Sequence, residues 1–98
     1  MMAFQVGAAY IRADKVRSAA EAIVTLDQRS FGNLIPLSAA WLSHLTGMNS
    51  RSAGMVLRLL CDMGLAERRT RKRYVVRKQR LGELKRLLAE LNGSASAQ

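Results

Sequence analysis

Residues 42–69 read LSHLTGMNSRSAGMVLRLLCDMGLAERR, and the punctuation inside this stretch decides how the chain folds. Gly47 can take the left-handed backbone that stops a helix. Asn49 is then a helix N-cap, because its side chain can accept from the exposed N–H groups of a first turn. Winding onward from Ser50 at about 100° per residue puts Ala53, Val56, Leu57, Leu60 and Met63 on one face and Arg51, Met55, Arg58 and Asp62 on the other. The first face is expected in the core and the second free. Gly64 closes the helix.

Upstream, Ser38 can cap a shorter helix, AAWLSHLT, whose Leu42 and Leu45 are expected to point inward with Trp41 alongside. Gly32, Asn33 and Pro36 interrupt any helix before it, which leaves Leu34 and Ile35 as a loop or a very short strand. Earlier still, Val16, Ala19, Ala20, Ile23 and Leu26 share a helix face, with Asp14 as N-cap and an end near Gln28. Ser18-x-x-Glu21 has the form of a capping box and offers a later start. In the N-terminal arm, residues 1–11, Phe4, Val6, Ala8 and Tyr10 alternate, so a short strand, an extended arm or a tail that packs down is expected.

Downstream the period changes. LAERR and RYVVR read as two strands around Thr70, Arg71 and Lys72, a hairpin with a basic tip but no turn glycine. In LGELKRLLAELN, within residues 79–92, Leu81, Leu84, Leu88 and Leu91 fall in a 3-4-3 spacing with Leu87 beside them. That stripe predicts either a homodimer seam or a helix folded back on the first to complete one chain's core. The last stretch, GSASAQ at 93–98, has nothing to bury and is expected to be disordered.

At 98 residues the chain holds one domain with a core of marginal size. Its formal charge of +9 is unevenly placed: residues 1–67 carry six Lys/Arg against five Asp/Glu, and residues 68–98 carry ten against two. A cationic end on a nearly neutral domain attracts polyanions, with nucleic acid first and an anionic membrane surface second. Cys61 and His44 are each the only residue of their kind. No intramolecular disulfide, catalytic triad or histidine-rich zinc site can be assembled from them, and phosphate-loop or dinucleotide-turn motifs are absent from the sequence. Neither enzyme activity nor a cofactor, metal or small-molecule substrate is therefore expected. MMAFQVGAAYI is too short to span a membrane and lacks a secretory pattern, so a cytoplasmic, nucleoid-associated protein is expected.

A helix, a short helix, a tight turn, a longer helix and a basic hairpin, in that order over residues 12–78, resemble the winged helix-turn-helix family. The inward Leu42, the turn Thr46-Gly47-Met48, the Asn49 cap, the inward Leu57 and Leu60 and the closing Gly64-Leu65 carry the likeness. It implies a mainly α fold with a small β-hairpin wing, followed by the C-terminal helix. It also implies that the helix beginning at Ser50 is a recognition helix entering a DNA major groove. Ser50, Arg51, Ser52, Met55 and Arg58 would then lie at the nucleic acid, the arginines on guanine edges or phosphates and the serines on phosphates. Arg68, Arg69, Arg71, Lys72, Arg73, Arg77 and Lys78 would form the wing's grip.

Gly54 and Met55 supply no hydrogen bonds for reading bases, and Tyr74, Val75 and Val76 suit sheet packing better than base stacking. A transcriptional regulator or chromatin-associated protein that binds double-stranded DNA is the leading expectation. A ribosome- or RNA-associated protein is the first alternative. The other is a protein interaction module that presents Met55 and Leu59 as an apolar surface.

Overall fold

The computed structural model describes residues 3–27 and 32–96. In chain order these form β1 (Ala3–Val6), β2 (Ala9–Arg12), α1 (Ala13–Asp27), β3 (Leu34–Leu37), α2 (Ala39–Thr46), α3 (Ser50–Asp62), β4 (Glu67–Arg68) and β5 (Tyr74–Arg77). A 3-10 turn at Lys78–Arg80 then leads into α4 (Leu81–Ser96). The fold is mixed α/β: besides the expected basic hairpin, the two segments that the sequence left open as short strands, the N-terminal arm and Leu34–Leu37, are strands.

The N-terminal arm is itself a hairpin with Phe4 opposite Ile11 and Val6 opposite Ala9. Gly7 takes φ +61°, as a two-residue hairpin loop with glycine in first position requires. The turn also resets the side-chain phase. Phe4, Val6 and Ile11 face the core, while Ala8 and Tyr10, expected on the same face as Phe4 and Val6, are exposed. Leu34–Leu37 pairs antiparallel with β5 so that Ile35 faces Val76 and Leu37 faces Tyr74. Pro36 is tolerated because the strand order is β3-β5-β4, which makes β3 an edge.

α1 begins one residue before Asp14, so Asp14 sits in the first turn beside Arg12, at 3.5 Å, and is not the cap. The Ser18 hydroxyl donates to the Asp14 carbonyl within the running helix, which excludes a start there. Val16, Ala19, Ala20 and Ile23 are buried. Gln28 falls outside the described residues.

The caps flanking α2 and α3 form as expected. The Ser38 hydroxyl accepts from the Trp41 N–H at 3.0 Å, Gly47 takes φ +80°, and the Asn49 side chain accepts from the Ser52 N–H at 2.7 Å. After α3 the carbonyl of Leu60 accepts from both Leu65 and Ala66, turning the chain inward at two buried residues. Three positions depart from the helical-wheel reading. Leu45 and Met63, expected inside, are 52% and 42% exposed; Leu45 lies in the last turn of α2 and Met63 at the C-cap of α3. Leu59 is buried, so it cannot join Met55 in an exposed apolar surface.

α4 packs chiefly on α1. Leu81, Leu84, Leu87 and Leu91 are buried in the core, while Leu88 is only half-buried. Burial of the stripe inside one chain matches the fold-back reading, and a dimer through it would have to uncover these leucines. The helix also continues through Ser94, Ala95 and Ser96, part of the stretch expected to be disordered; no proline interrupts it, and the penalty of these residues in a helix is modest.

Truncating the fully buried Leu84 to alanine should destabilise the chain by about 2–5 kcal/mol, whereas Leu88→Ala should cost roughly 1 kcal/mol or less, measured by urea unfolding. Equal losses at the two positions would contradict the packing of α4 on α1.

Candidate nucleic-acid interface

The β4–β5 hairpin makes its tip without glycine. Arg68 lies opposite Tyr74, and the N–H groups of Arg69 and Thr70 both donate to the Arg73 carbonyl, at 2.8 and 3.2 Å. The Thr70 hydroxyl accepts from the Arg73 N–H at 3.2 Å. Arg68 then folds over the loop: Nε donates to the Thr70 carbonyl at 3.3 Å, Nη2 donates to the Arg71 carbonyl at 3.2 Å, and the guanidinium carbon stands 5.9 Å from the centre of the Tyr74 ring. A hydroxyl and a guanidinium thus satisfy the tip carbonyls and amides that an irregular loop leaves open.

This bonding divides the expected grip into two groups. Arg68 is occupied by the loop it holds. Arg77 donates to both carboxylate oxygens of Glu67, the second at 3.5 Å, so its charge is largely matched. Arg69, Arg71, Lys72 and Arg73 are exposed and have no carboxylate partner among the described residues. Lys78 joins the hairpin to the core through its backbone N–H, which donates to the Asn33 carbonyl at 2.9 Å.

On α3, Ser50, Arg51 and Arg58 are exposed and Met55 is half-buried. Ser52 turns inward, against expectation: it is buried, and its hydroxyl accepts from the Lys15 ammonium at 3.0 Å, because its position on the helix faces α1. A groove of about 460 Å³ runs along the exposed face, with Arg51, Gly54, Met55 and Arg58 on one side and Val6, Ala8 and Ala9 of the N-terminal hairpin on the other. Gly7 lies so near Arg58 that a Cβ there would stand 3.4 Å from two guanidinium nitrogens. The helix face is therefore walled on one side, a feature the sequence signalled only through Gly7 and the alternation around it.

A second groove, of about 530 Å³, opens between the basic hairpin and the β3–α2 junction. Trp41, Tyr74, Pro36 and Leu37 contribute apolar wall, and Arg69 and Arg73 stand beside them. The sequence suggested sheet packing for Tyr74 and a place beside the inward face of α2 for Trp41; their juxtaposition arises only when β3 pairs with β5.

Cys61 is half-buried, and burial pushes its thiol above the ordinary range, with Asp62 acting in the same direction. A raised thiol pKa lowers the share of the reactive thiolate. His44 is exposed. Among the described residues there is no group of three His, Cys, Asp or Glu that could hold a metal ion, and no helix is long and apolar enough to cross a membrane.

No protein-family model, curated protein or solved structure matches the chain.

The Glu67 carboxyl is held below the usual carboxylate range, first by its hydrogen bond from Arg77 and further by the charges of Arg77, Arg69 and Arg80, against an opposing desolvation. An acid with a lowered folded-state value contributes stability above its unfolded value and loses it as pH falls through the folded one. Glu67→Gln should therefore melt below the wild type at neutral pH, and the gap should close as the solution is acidified. A gap that is constant across the acid range would show that the pair does not form.

Proposed function

We propose that the chain is a winged helix-turn-helix protein that grips double-stranded DNA, acting as a chromatin-associated protein or a regulator of low sequence selectivity. The order α1, α2, a glycine turn, α3 and a basic hairpin supports this reading, since it agrees with that family's layout. The observation that carries it is the tip itself: Arg69, Arg71, Lys72 and Arg73 are exposed and make no ion pair among the described residues, on a loop whose backbone is fixed by Thr70 and Arg68. Cations held in place without acidic partners release counterions from phosphates at little ordering cost.

RNA is the second reading, favoured by the poverty of α3 in base-reading groups. Ser52 is turned inward, Gly54 has no side chain, Met55 offers no donor, and the N-terminal hairpin walls the face. Shape and phosphate recognition without base readout suits double-stranded RNA as well as DNA. Homodimerisation, which the leucine stripe suggested, would need a surface other than Leu81, Leu84 and Leu91, all buried in one chain. The protein-module reading has lost Leu59 from its contact surface.

Four tip cations meeting three or four phosphates give a slope of roughly −3 in log K against log salt per chain. Replacing Arg71, Lys72 and Arg73 together by alanine should weaken all duplexes about equally and flatten that slope, because phosphate contacts carry no direct sequence information. Gel shifts on random DNA, candidate promoter DNA and structured RNA at several salt concentrations measure both effects and rank the two nucleic acids. A slope near zero in the wild type would remove the electrostatic grip.

Arg51 and Arg58 should behave differently from the tip. If either meets a guanine edge, its replacement by alanine should cost about 1–3 kcal/mol on a preferred site and less elsewhere. With so few reading groups on α3, the wild type should discriminate between sequences by less than roughly a thousandfold, the lower bound for ordinary specific regulators. Competition of the best selected sequence against random duplex tests that bound.

A further inference from the structure

We infer that the groove between the basic hairpin and the β3–α2 junction is a pocket for one unpaired base of the bound nucleic acid. The inference rests on the nucleic-acid reading above and adds a site to it. Three features argue for this occupant. First, Trp41, Tyr74 and Pro36 line one cleft, Trp41 and Tyr74 are both only half-buried within the chain, and Arg68, which stands over the Tyr74 ring, is not part of the cleft's lining. Flat aromatic faces match the π-face that every base presents, and stacking on them does not depend on which base it is.

Second, the charge at the cleft is of one sign. Arg69 and Arg73 stand at the groove, no Asp or Glu lines it, and neither arginine has a carboxylate partner among the described residues. An uncharged apolar ligand would gain nothing from these two cations, whereas a base brings its own phosphates. Third, Arg69 and Arg73 belong both to this groove and to the tip that supplies the grip, so a strand whose phosphates lie on the tip already passes the cleft's mouth. The volume, about 530 Å³, falls within the roughly 300–1,000 Å³ usual for small organic ligands.

A base inside a regular duplex cannot reach such a cleft without leaving its stack, which costs least where the base is already unpaired. The pocket therefore directs the protein to bulges, mismatches and strand junctions over uniform duplex. Its mechanism is additive: the tip holds phosphates on either side, and the cleft takes the base between them.

Trp41 is the chain's only tryptophan, so its fluorescence reports on this cleft directly. Three duplexes of the same length and sequence supply the test: one fully paired, one with a single bulged adenine, and one with an abasic residue at the bulge. The bulged adenine should bind about tenfold tighter than the abasic duplex, the scale of one stacked base, and should quench Trp41 where the other two do not. Tyr74→Leu, with its fold checked by circular dichroism, should narrow the difference between the adenine and abasic duplexes. Equal affinity for all three duplexes, or equal quenching by all three, overturns the pocket while leaving the tip's grip in place. Failure of every duplex to bind overturns both.

Discussion

The pairing of Ile35 with Val76 is the interaction on which the rest of the functional surface depends. Both side chains are fully buried, and they place β5 as the middle strand between β3 and β4. Without that pair the basic hairpin would be an isolated two-stranded ribbon, which is marginal in water at best. With it, the hairpin is continued from the core, and its tip projects from an anchored base. The register has the same consequence for side chains: a slip of one residue would turn Val76 out and Arg77 in, a change the buried face does not permit.

From that register follows the division of charge. Arg77 is directed to the face of the hairpin where Glu67 can reach it across the strands, and Arg68 falls opposite Tyr74, where its guanidinium can also turn onto the loop carbonyls. The cations beyond the last paired residues make no ion pair among the described residues. Net charge alone treats all seven cations between residues 68 and 78 alike, yet cross-strand geometry assigns Arg68 and Arg77 to holding the hairpin and leaves the tip cations exposed. An exposed ion pair such as Glu67–Arg77 adds little stability. Its larger effect is to lower the positive potential at the hairpin's base relative to its tip.

Local signals were legible in the sequence wherever one residue acts on its immediate neighbours. Ser38, Asn49 and Gly47 mark the ends of α2 and α3 because a cap is satisfied within one turn, and they need no knowledge of the rest of the chain. Features that depend on distant partners were not legible. Leu34–Leu37, open between loop and short strand in the sequence, becomes a strand because β5 offers it a ladder, Ser52 is lost from the surface because Lys15 and α1 lie over it, and Leu87 packs more deeply than Leu88 in the core. The N-terminal hairpin lies between these cases. Gly7 is a local turn signal, and the alternation of Phe4, Val6, Ala8 and Tyr10 does not continue through it: the turn shifts the phase by one residue, so Ile11 and not Tyr10 faces the core.

That hairpin also changes what α3 can do. A helix that reads a major groove needs its exposed face clear on both sides, because the groove is only about 12 Å wide and must admit the whole helix. Here Val6, Ala8 and Ala9 stand beside Arg51 and Arg58, and Gly7 lies against the Arg58 guanidinium. The hairpin cannot simply fall away, since Val6 and Ile11 are part of the core. Any nucleic acid meeting α3 must therefore meet the hairpin as well, and Arg51 and Arg58 are better placed to reach a phosphate ridge than the floor of a groove. On the proposed nucleic-acid reading, affinity would then come from phosphates at two places, the basic tip and the walled face of α3, and selectivity would have to arise from the shape or pairing state of the strand that spans them.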